Sequence, residues 1–116
     1  MAGEFSVRGE QLSEAALVAV QGEVDLATAS QVERALMDAE SGPQRGVLLD
    51  LCEVDFIDST GLRVVLGSIK RLTTEGRSLT VACAEGPVRR LFELTALTGQ
   101  FDLHESREAA LVALRG

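Results

Sequence analysis

Apolar and polar positions alternate along this chain in two rhythms. Short continuous apolar runs recur at Ala15–Gln21, Val47–Leu51 and Leu79–Cys83. Such runs are the signature of strands buried on both faces. Between them lie amphipathic stretches with helical spacing. Ala29, Val32, Leu36 and Ala39 repeat on one helical face, with Glu33, Arg34 and Asp38 elsewhere. Leu62, Val65, Leu66, Ile69 and Leu72 form a second stripe, with Arg63, Lys70 and Arg71 off it. Val88, Leu91, Phe92 and Leu94 or Thr95 supply a third, and Ala110, Leu111 and Leu114 a fourth.

Punctuation supports these boundaries. Thr28 with Gln31 matches a capping box that opens the first helix, and Gly42-Pro43 stops it. Gly76 ends the second helix, Gly86-Pro87 opens the third and Thr98-Gly99 closes it. Ser106 caps the last. Glu4–Arg8 reads as a short edge strand, Gly9–Glu14 as a polar turn, Gly22–Ala27 as a loop and Phe101–Leu103 as a short final strand. The first two strands are too close for a crossover and predict an antiparallel hairpin. The order is ββαβαβαβα. It predicts one α/β domain over 1–116, with an ordered core at about 4–115. The sheet is mixed, mainly parallel, with an antiparallel edge hairpin and about four helices.

The corner Asp58-Ser59-Thr60-Gly61, between the apolar strand and the second helix, carries the candidate chemistry. A helix start has free N–H groups and the positive end of the macrodipole, so it accepts negative charge. Ser59 there can carry a phosphate without melting the helix. Asp58 is a candidate N-cap. Asp-Ser-Thr at a helix start is also ordinary capping chemistry, and pattern alone leaves both readings open. A second loop, Glu23-Val24-Asp25 with Thr28, lies on the same rim if the two strands are neighbours. Gly61 either keeps the approach to Ser59 clear or is a tolerated glycine. Gly67 either leaves a flat docking place or allows close helix–sheet packing. Arg89-Arg90 reads as a solvated face.

Composition narrows the function further. With 116 residues and 46% hydrophobic side chains the chain can build one real core, aliphatic because there are four Phe and no Trp or Tyr. A net charge of −7 argues against nucleic acid and anionic membranes as partners. Cys52 and Cys83 lack metal-site spacing and read as reduced, buried thiols. Neither metal nor cofactor is expected. Met1–Phe5 has no signal-peptide pattern and no apolar run approaches membrane-spanning length, which leaves the cytoplasm as the expected location. Serine hydrolysis would need a base, and His104 is distant in sequence with no GxSxG elbow. There is no phosphate-cradling glycine motif, so the chain reads as a kinase substrate and not as an enzyme.

Three blocks resemble the STAS domain, and in particular bacterial anti-sigma factor antagonists of the stand-alone type. They are Gly22-Glu23-Val24-Asp25, Val54–Leu62, and Val88–Leu94 followed by Phe101. The resemblance implies a monomeric regulatory protein that, unphosphorylated, binds an anti-sigma factor with serine kinase activity and so frees a sigma factor. It implies that this kinase phosphorylates Ser59 and ends binding, and that a PP2C-type phosphatase reverses it. The acidic residue near the serine falls on Asp25 and the capping one on Asp58. Glu23, Thr60, Gly61 and Arg63 join them on the expected partner surface. The alternative within the same fold is a structural or ligand-sensing subunit of a larger signalling assembly.

Overall fold

A computed structural model describes residues 4–96 and 101–115. The elements are β1 (Ser6–Gln11), β2 (Ala16–Val24), α1 (Ala29–Glu40), β3 (Gly46–Ile57), α2 (Ser59–Thr74), β4 (Ser78–Ala82), α3 (Pro87–Ala96), β5 (Asp102–His104) and α4 (Arg107–Arg115). Strand order follows chain order, β1-β2-β3-β4-β5. Only β1 and β2 are antiparallel; every other neighbouring pair is parallel. This is the mixed α/β sheet with an antiparallel edge hairpin that the periodicity predicts. The expected end of α3 at Thr98-Gly99 lies outside the described residues.

Alternate residues of the central strands serve two cores. Val18, Val20, Val47, Leu49, Leu51, Leu79 and Val81 pack with α1, α2 and α3 through Val32, Leu36, Val65, Ile69, Leu72, Val88 and Phe92. Leu17, Leu48 and Ala82 face α4, whose Ala110 is buried and whose Leu111 and Leu114 flank it. Phe92 and Phe101 meet edge to face at 6.2 Å between ring centres.

Several boundaries differ from the expected ones. β1 runs on through Gly9–Gln11, and β2 continues through Gly22–Val24, a stretch expected to be loop. β3 does not stop at Leu51 but reaches Ile57. Asp50, Glu53 and Asp55 interrupt its apolar run, yet pairing with β2 continues through two register shifts, between Ala19 and Gln21 and between Gly22 and Glu23. At the first of these Asp50 is only 7% exposed. Its Oδ1 accepts from Cys52 N at 2.9 Å and its Oδ2 from Arg107 Nε at 2.7 Å. The bulged backbone and α4 together satisfy an acid that a regular ladder would strand.

Helix faces also differ in part. In α2, Ser68 is buried and Leu66 is 37% exposed. The inward stripe is Val65, Ile69 and Leu72, which places Leu66 about 100° from Val65 on the outer flank. Ser68 is admitted because its hydroxyl donates to Glu40 Oε2 at 2.6 Å. In α3, Val88 and Phe92 turn inward, whereas Leu91 and Leu94 are 40% and 72% exposed. Arg89 is not on a solvated face: its guanidinium donates to Cys83 O at 2.8 Å and pairs with Glu93. Arg71, expected to face away from the core, is half-buried against Glu40 at 2.6 Å. That bond raises its pKa above the ordinary arginine value.

α2 ends as its glycine demands. Gly76 has φ +72°, Arg77 N donates to Leu72 O at 2.8 Å and Gly76 N to Thr73 O at 3.0 Å. Both thiols are free, Cys83 buried and Cys52 half-buried. Burial pushes Cys52 up to about 12, helped by its hydrogen bond with Asp50, and Cys83 up to about 11. Among the described residues no helix is long and apolar enough to cross a membrane.

Candidate functional site

β2 and β3 run side by side, with Val24 opposite Ile57, and both leave the sheet at the same rim. Asp58 N donates to Val24 O at 3.1 Å, so the chain entering α2 is tied to the end of β2. Asp58 then turns extended, with φ −99° and ψ −175°, and its Oδ1 accepts from Gly61 N at 3.0 Å. Asp58 is thus the N-cap of α2, and one orphan donor of the helix start is satisfied. Ser59 follows as the first helical residue and is exposed. Thr60 is half-buried beside it.

Gly61 turns inward and is buried. A Cβ there would stand 2.7 Å from Cγ1 of both Ile57 and Val24 and 2.9 Å from Val24 O. Its expected place on the partner surface is therefore corrected: the missing side chain lets α2 begin directly against the ends of β2 and β3. At Gly67 a Cβ would meet only Arg71 NH1, at 3.4 Å, so close sheet packing does not explain that glycine.

The neighbouring loop is a closed local circuit. Asp25 Oδ1 accepts from Ala27 N at 3.0 Å and Thr28 N at 3.2 Å. Thr28 Oγ1 donates to Glu23 O at 2.8 Å and accepts from Asp25 N at 3.0 Å. The expected capping box of Thr28 with Gln31 is not formed; Thr28 makes no side-chain cap to α1 because its hydroxyl is committed backward into the loop. The Asx turn at Asp25 opens α1 instead.

The strand pairing brings both loops to one rim. Around Ser59 the surface is acidic and locally apolar. Glu23 and Asp55 are exposed, Asp25 and Asp58 half-buried, and among the described residues none of the four takes part in a salt bridge. Leu26 is 80% exposed and Phe56 49%. On α2, Ser59, Arg63, Leu66 and Lys70 fall at i, i+4, i+7 and i+11, one exposed stripe headed by the serine. Leu26 falls in the loop expected to face a partner, whereas Leu66 reads as part of the core stripe and only burial places it outside. Among the described residues no cluster of three or more metal-ligating side chains forms. His104 lies on β5, its carbonyl accepting from Cys83 N at 2.8 Å.

The sequence model of the STAS domain matches residues 7–110. The chain belongs to the STAS domain family. BtrV of Bordetella bronchiseptica is 36% identical over 99 residues, 85% of each chain. The anti-sigma-B factor antagonist of Staphylococcus aureus strain NCTC 8325 is 31% identical over 91 residues, 78% of this STAS chain and 84% of its own. A crystal structure of an anti-sigma factor antagonist from Mycobacterium paratuberculosis superposes with a TM-score of 0.86 at 27% identity, covering 97% of this chain and 96% of that one. The Bacillus cell fate determinant SpoIIAA, solved in a phosphorylated form, shares the STAS fold with a TM-score of 0.73 at 20% identity, over 95% of this chain and 100% of that one.

Proposed function

We infer that this STAS domain is an anti-sigma factor antagonist switched by phosphate at Ser59. Unphosphorylated, it binds an anti-sigma factor that is also a serine kinase, and so releases a sigma factor. Phosphorylation ends binding, and a serine phosphatase of the PP2C type restores it. The reading rests on one observation above all. Ser59 is an exposed hydroxyl at the first position of α2, immediately after the capping Asp58. The names of the relatives support the partner class, and the phosphorylated form of SpoIIAA shows that a protein of this fold carries a phosphate.

The electrostatics account for release without rearrangement. A phosphoserine adds a charge of about −1.5 to −2 near neutral pH. The amino end of α2 accepts that charge, so the domain itself stays folded. Among the described residues Glu23, Asp25, Asp55 and Asp58 take part in no salt bridge, and the one cation on the first turns of the Ser59 stripe is Arg63, at i+4. A partner seated over Leu26, Phe56, Leu66 and Arg63 then meets a concentrated negative field. Like-charge juxtaposition at an interface costs several kcal/mol. About 3 kcal/mol weakens binding more than a hundredfold.

The test incubates the protein with a cognate anti-sigma serine kinase and ATP, followed by phosphopeptide mass spectrometry. Phosphate on Ser59, with binding kept by Ser59→Ala and lost by Ser59→Asp, is the expected result. Phosphate on Thr60 alone, or none, refutes the switch. Recovery only within a large multi-subunit particle would point to a structural or sensing subunit.

A further inference from the structure

We propose that the outer edge of β1 is a self-association surface, on which two copies pair antiparallel about a two-fold axis at Gly9 and join their sheets. β1 is the terminal strand of the sheet, and five of its six residues are exposed. Such an edge presents a row of backbone donors and acceptors that another strand can take. No proline interrupts Ser6–Gln11, and its pairing with β2 runs without a register shift. The edge pairs regularly and lacks two of the usual guards against pairing.

The side chains select the partner. A two-fold axis normal to the sheet keeps each residue on its own face, so symmetric pairing must centre on a residue. Centring on Arg8 sets Arg8 against Arg8, and centring on Glu10 sets Glu10 against Glu10. Like charges directly opposite are unfavourable. Centring on Gly9 sets Arg8 of each copy against Glu10 of the other, twice over, with Val7 against Gln11 on the opposite face. Arg8 and Glu10 lie on one face, opposite Ala19 and Leu17 of β2. Within one copy they already meet at 3.2 Å with side chains 58% and 52% exposed. That exposed pair is worth little alone and can be exchanged for the cross-copy pairs.

Gly9 places no obstacle at the axis. A Cβ there would find only Leu17 O at 3.8 Å, so the position is spacious. Antiparallel pairing reverses the second copy, which sends the two Ser59 corners to opposite ends of the joined sheet. Both corners stay open to their own partners. The surface departs from the monomer implied by the family resemblance and is independent of the phosphate switch.

Sedimentation and light scattering over a wide concentration range test it, with far-UV circular dichroism confirming the fold of each variant. Wild-type protein is expected to associate to dimer as concentration rises. Arg8→Glu and Glu10→Arg are each expected to weaken the dimer about tenfold, and the double variant to recover it, because the cross-copy pairs are re-formed with signs exchanged. Opposed residues of an antiparallel pair lie about 4.5–5.5 Å apart at Cα, inside the range a disulfide spans. Gly9→Cys is therefore expected to cross-link copies under mild oxidation much faster than Met37→Cys, placed on exposed α1. A monomer at every concentration together with equal cross-linking of the two cysteine variants overturns the proposal. So does association that Arg8→Glu leaves intact or that the double variant fails to recover, since the contact then lies elsewhere.

Discussion

The two ends of the sheet are built in different ways. At the end where α1 and α2 finish, charged groups bind chain segments far apart in sequence. Glu40 takes Ser68 at 2.6 Å and Arg71 through two bonds, at 2.6 and 3.0 Å. Arg77 donates to the carbonyls of Glu40, Gly42 and Gln44, closing the last turn of α1 and the link to β3. At the end that bears Ser59, most bonds are local: Asp25 with Thr28, Thr28 with Glu23, Asp58 with Gly61. Among the described residues only Asp58 N to Val24 O spans the two loops. The first end spends its charges on holding the fold. Among the described residues the second leaves its acids out of any salt bridge and its hydroxyl in the open, which is the condition under which one added phosphate can change the field.

That contrast can be broken by substitution. The largest effect expected at the holding end is Glu40→Ala, which leaves the half-buried Arg71 and the buried Ser68 hydroxyl without their acceptor. A loss of about 3 kcal/mol in urea unfolding is expected. Ser59→Asp should do the reverse: binding of the anti-sigma partner falls by about the same free energy in calorimetric titration, while stability moves by under about 0.5 kcal/mol. If Ser59→Asp unfolded the domain, the division between the two ends would fail.

Gly61→Ala is expected to cost about 2 kcal/mol of stability, since the new methyl must push into Val24 and Ile57. Asp58→Ala is expected to cost about 1 kcal/mol, the ordinary loss of an N-cap. Chemical denaturation checks both, and the reverse ranking would mean that the cap, and not the close approach of helix and strands, holds the corner.

The smallest effect concerns the thiols. Their folded pKa values, about 12 for Cys52 and about 11 for Cys83, lie above the ordinary 9.0. Folding therefore favours the protonated thiol. The associated stability is fully present below pH 9 and is lost as pH rises through 9 toward 11 and 12. Alkylation of the native protein at neutral pH should be slow, and stability should decline above pH 9 less steeply in Cys83→Ala.

The Ser59 corner was legible because its signals are local. The run Asp58-Ser59-Thr60-Gly61 after an apolar strand is a helix start whatever the rest of the chain does, and the structure caps it through Asp58. The Thr28 box failed although its spacing was right, because a carbonyl and an amide five and three residues upstream claimed the hydroxyl. Leu66, Leu91 and Leu94 read as core because periodicity fixes a face only to within a flank.

By itself the chain determined the order of its elements, the direction of its strands and the serine at a helix start. Each depends on side-chain period, turn residues or link length, all carried by neighbours in sequence. Tertiary structure alone decided that Gly61 must lack a side chain, that Ser68 is inside and Leu66 outside, that Asp50 finds Arg107, and that the loops of Asp25 and Ser59 share a rim. These depend on which atoms from distant segments come within a few ångströms, and that distance is set only when the sheet and its helices close on one another.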